Sequence, residues 1–236
     1  MIPIRDINPR VRVPFVNFLL LVLIALAFVL QLVMGHDDTL VRAFGFVPSE
    51  LLQAIDRGRL EAAPGVALSV VTSVFLHGGW FHVLGNLIYL RVFGDNVEDR
   101  LGHLGFVAFF FASAIFGAAL HAFITNGSST PVIGASGAIS GVLGAYVVMF
   151  PRAPVLTLFP IFVFLSFIEV PAFLFLGVWA LQQFLNGYLV IAESVHQEGV
   201  AWLVHVGGFG LGIFVGLVSR LLHGRRRDRG EILEEA

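Results

Sequence analysis

Apolar residues run almost unbroken from Phe15 to Met34, close to the roughly 20 residues of a bilayer-crossing helix. Further runs over about Trp80–Phe93, His103–Ile124, Ser136–Phe150, Val170–Val190 and Val200–Leu222 each predict a membrane helix. A long outer loop, 35–79, separates the first two. Its first part, 35–65, scatters Phe44, Phe46, Leu51 and Leu52 among His36, Asp37, Asp38, Arg42, Glu50, Asp56, Arg57, Arg59 and Glu61, which predicts partly interfacial structure. Residues 66–77 dip towards the membrane, and Gly78-Gly79 breaks that run. The later runs are divided by a polar turn at Gly94–Arg100, turn-forming residues at Asn126–Pro131, Pro151-Arg152-Ala153-Pro154, and an outer loop at Glu193–Glu198. The apolar stretch 155–190 is longer than one span and short for two, and Pro160, Glu169 and Pro171 interrupt it.

Composition agrees: 57% of residues are hydrophobic, 13% are charged, and the mean hydropathy is +0.89. A soluble fold is excluded, and the class predicted is an all-α polytopic membrane protein. All basic residues are Arg. Arg5, Arg10 and Arg12 precede the first span, and Arg220, Arg225, Arg226, Arg227 and Arg229 attend the end of the last. The positive-inside rule then puts both termini in the cytoplasm. Two cytoplasmic ends require an even number of spans, so six are expected, with 155–169 a hydrophobic connection at the inner face. The expected organisation is a cytoplasmic segment 1–14, a membrane domain 15–222 and a charged cytoplasmic tail 223–236. The chain has no Cys, which excludes disulfides and thiolate metal sites. No small-residue cleavage site follows the first apolar run, so it is not read as a removable signal. The compact form without an extra domain or transit peptide predicts a bacterial cell (inner) membrane.

Four polar side chains fall near the outer ends of predicted spans. Ser136 opens the fourth, His82 and Asn86 lie on one face of the second, and His205 is about 8 Å into the sixth at 1.5 Å per residue. Polar groups inside a membrane are costly and are functional candidates by default. Taken alone, Ser136 among small residues reads as a helix-packing face, with Gly137 and Gly141 a GxxxG pair. Convergence of all four at one depth favours chemistry instead. A neutral His within reach suffices to activate a Ser. Gly208, Gly212 and Gly216 form a smooth stripe that suits Gly137, Gly141 and Gly144, and close approach of the two faces brings His205 to Ser136. The Ser136 amide at a helix N-terminus, with His82 and Asn86, would supply oxyanion donors. No carboxylate is placed to act as a third member, so a Ser–His dyad is expected. A zinc site at His77 and His82 is disfavoured, because there is no HExxH and no carboxylate at ligand spacing. A transporter or channel is disfavoured because spans one, three and five offer few polar groups.

Three motifs in order, HxxxN at His82–Asn86, GxSG at Gly134–Gly137 and HxxGxxxG at His205–Gly212, resemble those of rhomboid intramembrane serine proteases. Glu98–Gly102 matches the ExxxG that follows the family's second span. The resemblance covers about 66–216 and implies a six-helix fold, the lipid bilayer as medium, and cleavage of other proteins' transmembrane segments near the outer face. It implies Ser136 as nucleophile and His205 as base. His82, Asn86 and the Ser136 amide would form the oxyanion hole, and Gly134, Gly137, Gly208, Gly212 and His77 would pack around the site. No metal, other cofactor or nucleic acid is implied. Some members carry an aromatic residue four positions after the nucleophile, stacked on the histidine; here that position is Ser140. The Trp-Arg pair of some members' first outer loop is absent. A catalytically inactive rhomboid-like escort of membrane proteins is the alternative reading.

Overall fold

The structure is a computed structural model describing residues 1–35, 38–58, 63–161, 164–192 and 202–234. His36, Asp37, Arg59, Glu61 and the expected outer loop Glu193–Glu198 lie outside the described residues. Nine helices and three strands are described. They run β1 (Ile2–Asp6), α1 (Phe15–Val33), α2 (Asp38–Phe44), α3 (Pro48–Asp56), α4 (Ala63–Ser73), α5 (Trp80–Leu101), α6 (His103–Ile124), α7 (Ser136–Met149), β2 (Pro154–Ile161), β3 (Phe164–Pro171), α8 (Ala172–Ala192) and α9 (Trp202–Glu234).

Phe15–Val33, His103–Ile124, Ala172–Leu189 and Trp202–Leu222 are long and apolar enough to cross a membrane, and the chain is an integral, multi-pass membrane protein. Side chains sort accordingly. On α1, Val16, Leu20, Ile24, Phe28 and Gln31 are buried at three- and four-residue spacing, whereas Phe18, Leu26 and Leu30 on the other faces are exposed. That is one stripe on the protein and the remainder towards lipid.

The centre is α7. Only 14 residues long, it spans about 21 Å and is buried nearly all round by α5, α6, α8 and α9. Its first residue is Ser136. The preceding loop is held from above: Phe46 and Val132 exchange backbone hydrogen bonds, and the Gly134 amide donates to the Ser73 carbonyl at 2.8 Å. Residues expected as loop at 66–77 thus include α4, which braces the start of α7.

Two expectations require correction. The fold is mostly helical, not all-α. Residues 155–169, expected as a hydrophobic connection at the inner face, form most of the antiparallel hairpin β2–β3, and β1 adds to β2 with Ile2 opposite Leu158 and Asp6 opposite Val155. The stretch is rich in β-branched and aromatic residues (Val155, Thr157, Phe159, Phe167, Ile168, Val170), which suit a pleated surface. Its strand partner lies some 150 positions away, at the N-terminus.

The second correction is the polar turn expected at Gly94–Arg100. It is helical and continues α5 to Leu101, with Asp95, Asn96 and Glu98 buried. These groups organise the end of the bundle opposite Ser136. Glu98, 1% exposed, accepts the amides of Val16 (2.9 Å) and Asn17 (2.6 Å) and the ring Nδ1–H of His103. It thereby satisfies amides that the first turn of α1 leaves without helical partners. Asp95 pairs with Arg10, and Asp99 accepts the amides of Val11 and Arg12. Glu98→Ala, which leaves these donors buried and unmatched, is expected to lower stability by about 3 kcal/mol, read as the unfolding midpoint in detergent.

Asp6 completes this end. Its Oδ2 accepts from Tyr146 Oη (2.6 Å) and Asn96 Nδ2 (2.8 Å). Burial outweighs these donors and pushes its pKa from 3.8 up to about 6. Between about pH 4 and 6 the folded protein keeps a proton that the unfolded chain has released, so stability falls as pH rises through that window and is level above it. Asp6→Asn accepts the same two donors and has no charge to bury. Its melting temperature is expected to gain on the wild type as pH is raised from 4 to 6.5, and a gap that stays constant would refute the assignment.

Candidate active site

Helix α9 lies directly on α7. A Cβ added to Gly208 would sit 2.1 Å from the Gly137 carbonyl oxygen, and one on Gly212 would sit 2.0 Å from that of Gly141. Backbone therefore meets backbone along the contact, as small-residue stripes allow. This brings His205, one turn before Gly208, to the first residue of α7. Nε2 of His205 is 2.7 Å from Ser136 Oγ. On the other side of the ring, Nδ1 is 2.8 Å from Oε1 of Gln183 on α8. An amide oxygen only accepts, so Nδ1 carries the proton and Nε2 is left to accept the Ser136 hydroxyl.

His205 is 9% exposed. The Trp179 ring lies over it at 6.3 Å, tilted 35°, and Trp202 meets it edge-on at 5.9 Å. Ser140 offers no aromatic ring to His205. Its hydroxyl bonds back to the Ser136 carbonyl at 2.6 Å, as serines within helices do. The aromatic contact missing at position 140 is thus supplied from α8 and α9.

His82 and Asn86, both on α5, line the same cavity of about 680 Å³ as Ser136 and His205. The Gly78 amide points at His82 Nδ1 (3.4 Å), which puts the ring proton on Nε2. That nitrogen faces Gly134, where a Cβ would lie 2.5 Å from it; Gly134 also has φ +112°, a backbone conformation that favours glycine. Two independent constraints thus require glycine there. Asn86 Nδ2 donates to His77 Nε2 at 2.8 Å and would be 3.7 Å from the same Cβ. His77 is fully buried, and its backbone is clamped by Gln31 of α1, whose Oε1 accepts the His77 amide at 2.9 Å. The order Gln31–His77–Asn86 sets the direction of the Asn86 amide. Gly137 packs against Val204, which a Cβ would approach to 2.4 Å.

Ser136, His205, His82, Asn86, His77, Gly134 and Gly137 therefore gather at one end of α7, with Gly208 packed on Gly137, whereas Gly212 lies further along, against Gly141 and Ala145 in the middle of the helix. Two residues have no place in the sequence reading: Gln183 and Gln31. Each is a polar residue within an apolar span, Gln183 near the middle of α8 and Gln31 in the last turn of α1. Sequence alone does not single them out, because position along a helix does not say which side chains turn inward.

Comparison with known proteins gives a consistent picture. The chain is 27% identical over 167 residues to Rhomboid protein 1, mitochondrial, of Saccharomyces cerevisiae, covering 69% of this chain and 45% of that protein. It is 32% identical over 90 residues to the Putative rhomboid protease YdcA of Bacillus subtilis, covering 38% of this chain and 45% of that one. It is 38% identical over 82 residues to Rhomboid-like protease 1 of Toxoplasma gondii, covering 34% and 27% respectively. The chain spans less than half the length of each of these relatives. The expected bacterial inner membrane is not supported, since relatives named as mitochondrial are among those matched. The Rhomboid domain family model matches residues 64–221, the segment that runs from α4 into α9 and holds the glycine contact, Ser136, His205, His82, Asn86 and Gln183, and the chain belongs to the rhomboid family.

Proposed function

We propose that this protein is an intramembrane serine endopeptidase that cuts transmembrane segments of other proteins with Ser136 and His205. The observation that carries the proposal is the 2.7 Å hydrogen bond between Ser136 Oγ and His205 Nε2 inside a cavity of about 680 Å³. Two relatives bear protease names, which agrees with it.

In this reading the Ser136 hydroxyl gives its proton to His205 Nε2 as Oγ attacks the scissile carbonyl carbon. The oxyanion takes hydrogen bonds from His82 Nε2–H, the second N–H of Asn86 Nδ2 and the Ser136 amide. The Ser136 amide sits at the first turn of α7, where helix amides lack intrahelical acceptors. His205 passes the proton to the leaving amine nitrogen, the C–N bond breaks, and an acyl-Ser136 remains. Water, deprotonated by His205, attacks that ester and restores the serine.

The topology proposed has six spans, α1 and α5 to α9, with both termini cytoplasmic. In support, β1 and the Arg220 turn of α9 lie at the same end of α7: Tyr146 bonds Asp6, and Arg220 donates to the Val148 carbonyl. The substrate helix enters laterally between α5 and α8, whose Tyr89 and Trp179 rings line the cavity and stand 6.5 Å apart. It unwinds locally, so segments with Gly or Pro near the cut are favoured.

The test is purified protein in liposomes with a panel of single-span proteins. One cut at the outer end of the span, unaffected by chelator, is expected. Binding of spans without cleavage of any panel member would move the assignment to an inactive escort.

A further inference from the structure

We infer that Gln183 is the positioning residue of the dyad, holding His205 in the tautomer and orientation that let it accept a proton from Ser136. The inference rests on the proposed protease reading and adds a member to it. Gln183 is 6% exposed, and its Oε1 is 2.8 Å from His205 Nδ1. The polar head of an amide buried in an apolar span is costly unless it is matched, and its oxygen finds this match on the imidazole. Among the described residues, no Asp or Glu is hydrogen-bonded to His205, so the acceptor that a triad takes from a carboxylate comes here from a neutral amide. A neutral acceptor suits a site sunk in the bilayer, because it fixes the Nδ1–H tautomer without a buried charge.

The two rings beside His205 restrict its tilt. They do not choose between tautomers, since neither offers an acceptor to Nδ1. The amide does choose. It also ties the base to α8, the helix that borders the proposed lateral opening. A substrate that displaces α8 must leave this bond intact, or let it re-form, before chemistry begins.

Gln183→Met keeps length and approximate volume and removes the acceptor. Gln183→Glu keeps an acceptor at the same reach. The expected result for Gln183→Met is a kcat about 10- to 100-fold lower, a share of what a positioned general base contributes, with KM within about twofold of wild type because substrate contacts are retained. Labelling of Ser136 by a small fluorophosphonate is expected to slow in parallel. Gln183→Glu is expected to recover most of both losses. Labelling needs no peptide substrate, so it reads the inference even if the protein cleaves nothing. Wild-type protein with ¹⁵N-labelled histidine supplies a measurement independent of the folding of any variant. The His205 resonances, identified by their loss in His205→Ala, are expected to show a protonated Nδ1 and a bare Nε2. A Gln183→Met protein with wild-type kcat and labelling rate, a Gln183→Glu protein no better than Gln183→Met, or an Nε2–H tautomer in the wild type would each overturn the inference.

Discussion

Ser136→Ala and His205→Ala are each expected to reduce cleavage of a single-span substrate by about 10⁴-fold or more, to the level of the uncatalysed reaction on the assay's timescale. The size follows from the geometry. The two side chains form one unit through a single 2.7 Å hydrogen bond, whereas the cavity's other serine and imidazole are engaged elsewhere: the Ser140 hydroxyl donates to the Ser136 carbonyl, and His82 Nδ1 accepts the Gly78 amide. Loss of either member therefore removes the whole covalent route, and the double variant is expected to be no worse than either single one. The substitutions should leave the fold intact: Ser136 is at the edge of the cavity, and the glycine contact that seats α9 does not involve its side chain. Equal melting temperatures with activity lost in both would satisfy the expectation. Cleavage that survives Ser136→Ala would remove Ser136 as the nucleophile.

The next largest effect belongs to a residue that touches no substrate. Gly212→Ala adds one methyl group at a point where it would lie 2.0 Å from the Gly141 carbonyl oxygen. Ordinary carbon–oxygen contacts are more than 1 Å longer, and the obstacle is backbone on both sides, so no side chain can swing away. Helices α7 and α9 must separate. A displacement of about 1 Å at a reacting pair costs on the order of 10²-fold in rate, and overpacking of a tight core costs about 3 kcal/mol at its upper end. Both losses are expected together. Gly210, two residues earlier on the same helix, has nothing within 4 Å of an added Cβ. Gly210→Ala should be neutral or stabilise by up to about 1 kcal/mol, because alanine is the better helix former. The pair separates close approach from helix propensity: equal behaviour of the two variants would mean that α7 and α9 are not in backbone contact.

The sequence revealed most where a residue type is scarce in its surroundings. A serine, two histidines and an asparagine in apolar spans stand out because each is costly there, and their order along the chain carried the family resemblance. The glycine stripes on α7 and α9 are legible for a related reason, since small residues repeated every three or four positions along a helix describe a face. Where polarity did not single a residue out correctly, the reading failed. Asp95, Glu98 and Asp99 read as part of a polar turn, because charged residues there follow an apolar run. The bundle instead uses them to bind the amides before and at the start of α1 and the arginine that precedes it. The β2–β3 hairpin was hidden by composition, because a strand apolar on both faces has no alternation to read.

The residue chemistry by itself determined the class of the protein, the dyad candidates and their common depth, because the cost of polar groups in a bilayer is a local property of each position. Which of several inward-facing side chains meet is not local. Gln183 is 22 residues from His205, Gln31 is 46 from His77, and Asp6 is 140 from Tyr146. Only the packing of α8 on α9, of α1 beside α5 and of the N-terminal strand under α7 brought these partners within hydrogen-bonding distance. A hydrogen bond reaches about 3 Å, so its partners are chosen by how helices pack in space, and that choice is written across the whole bundle rather than in any one segment.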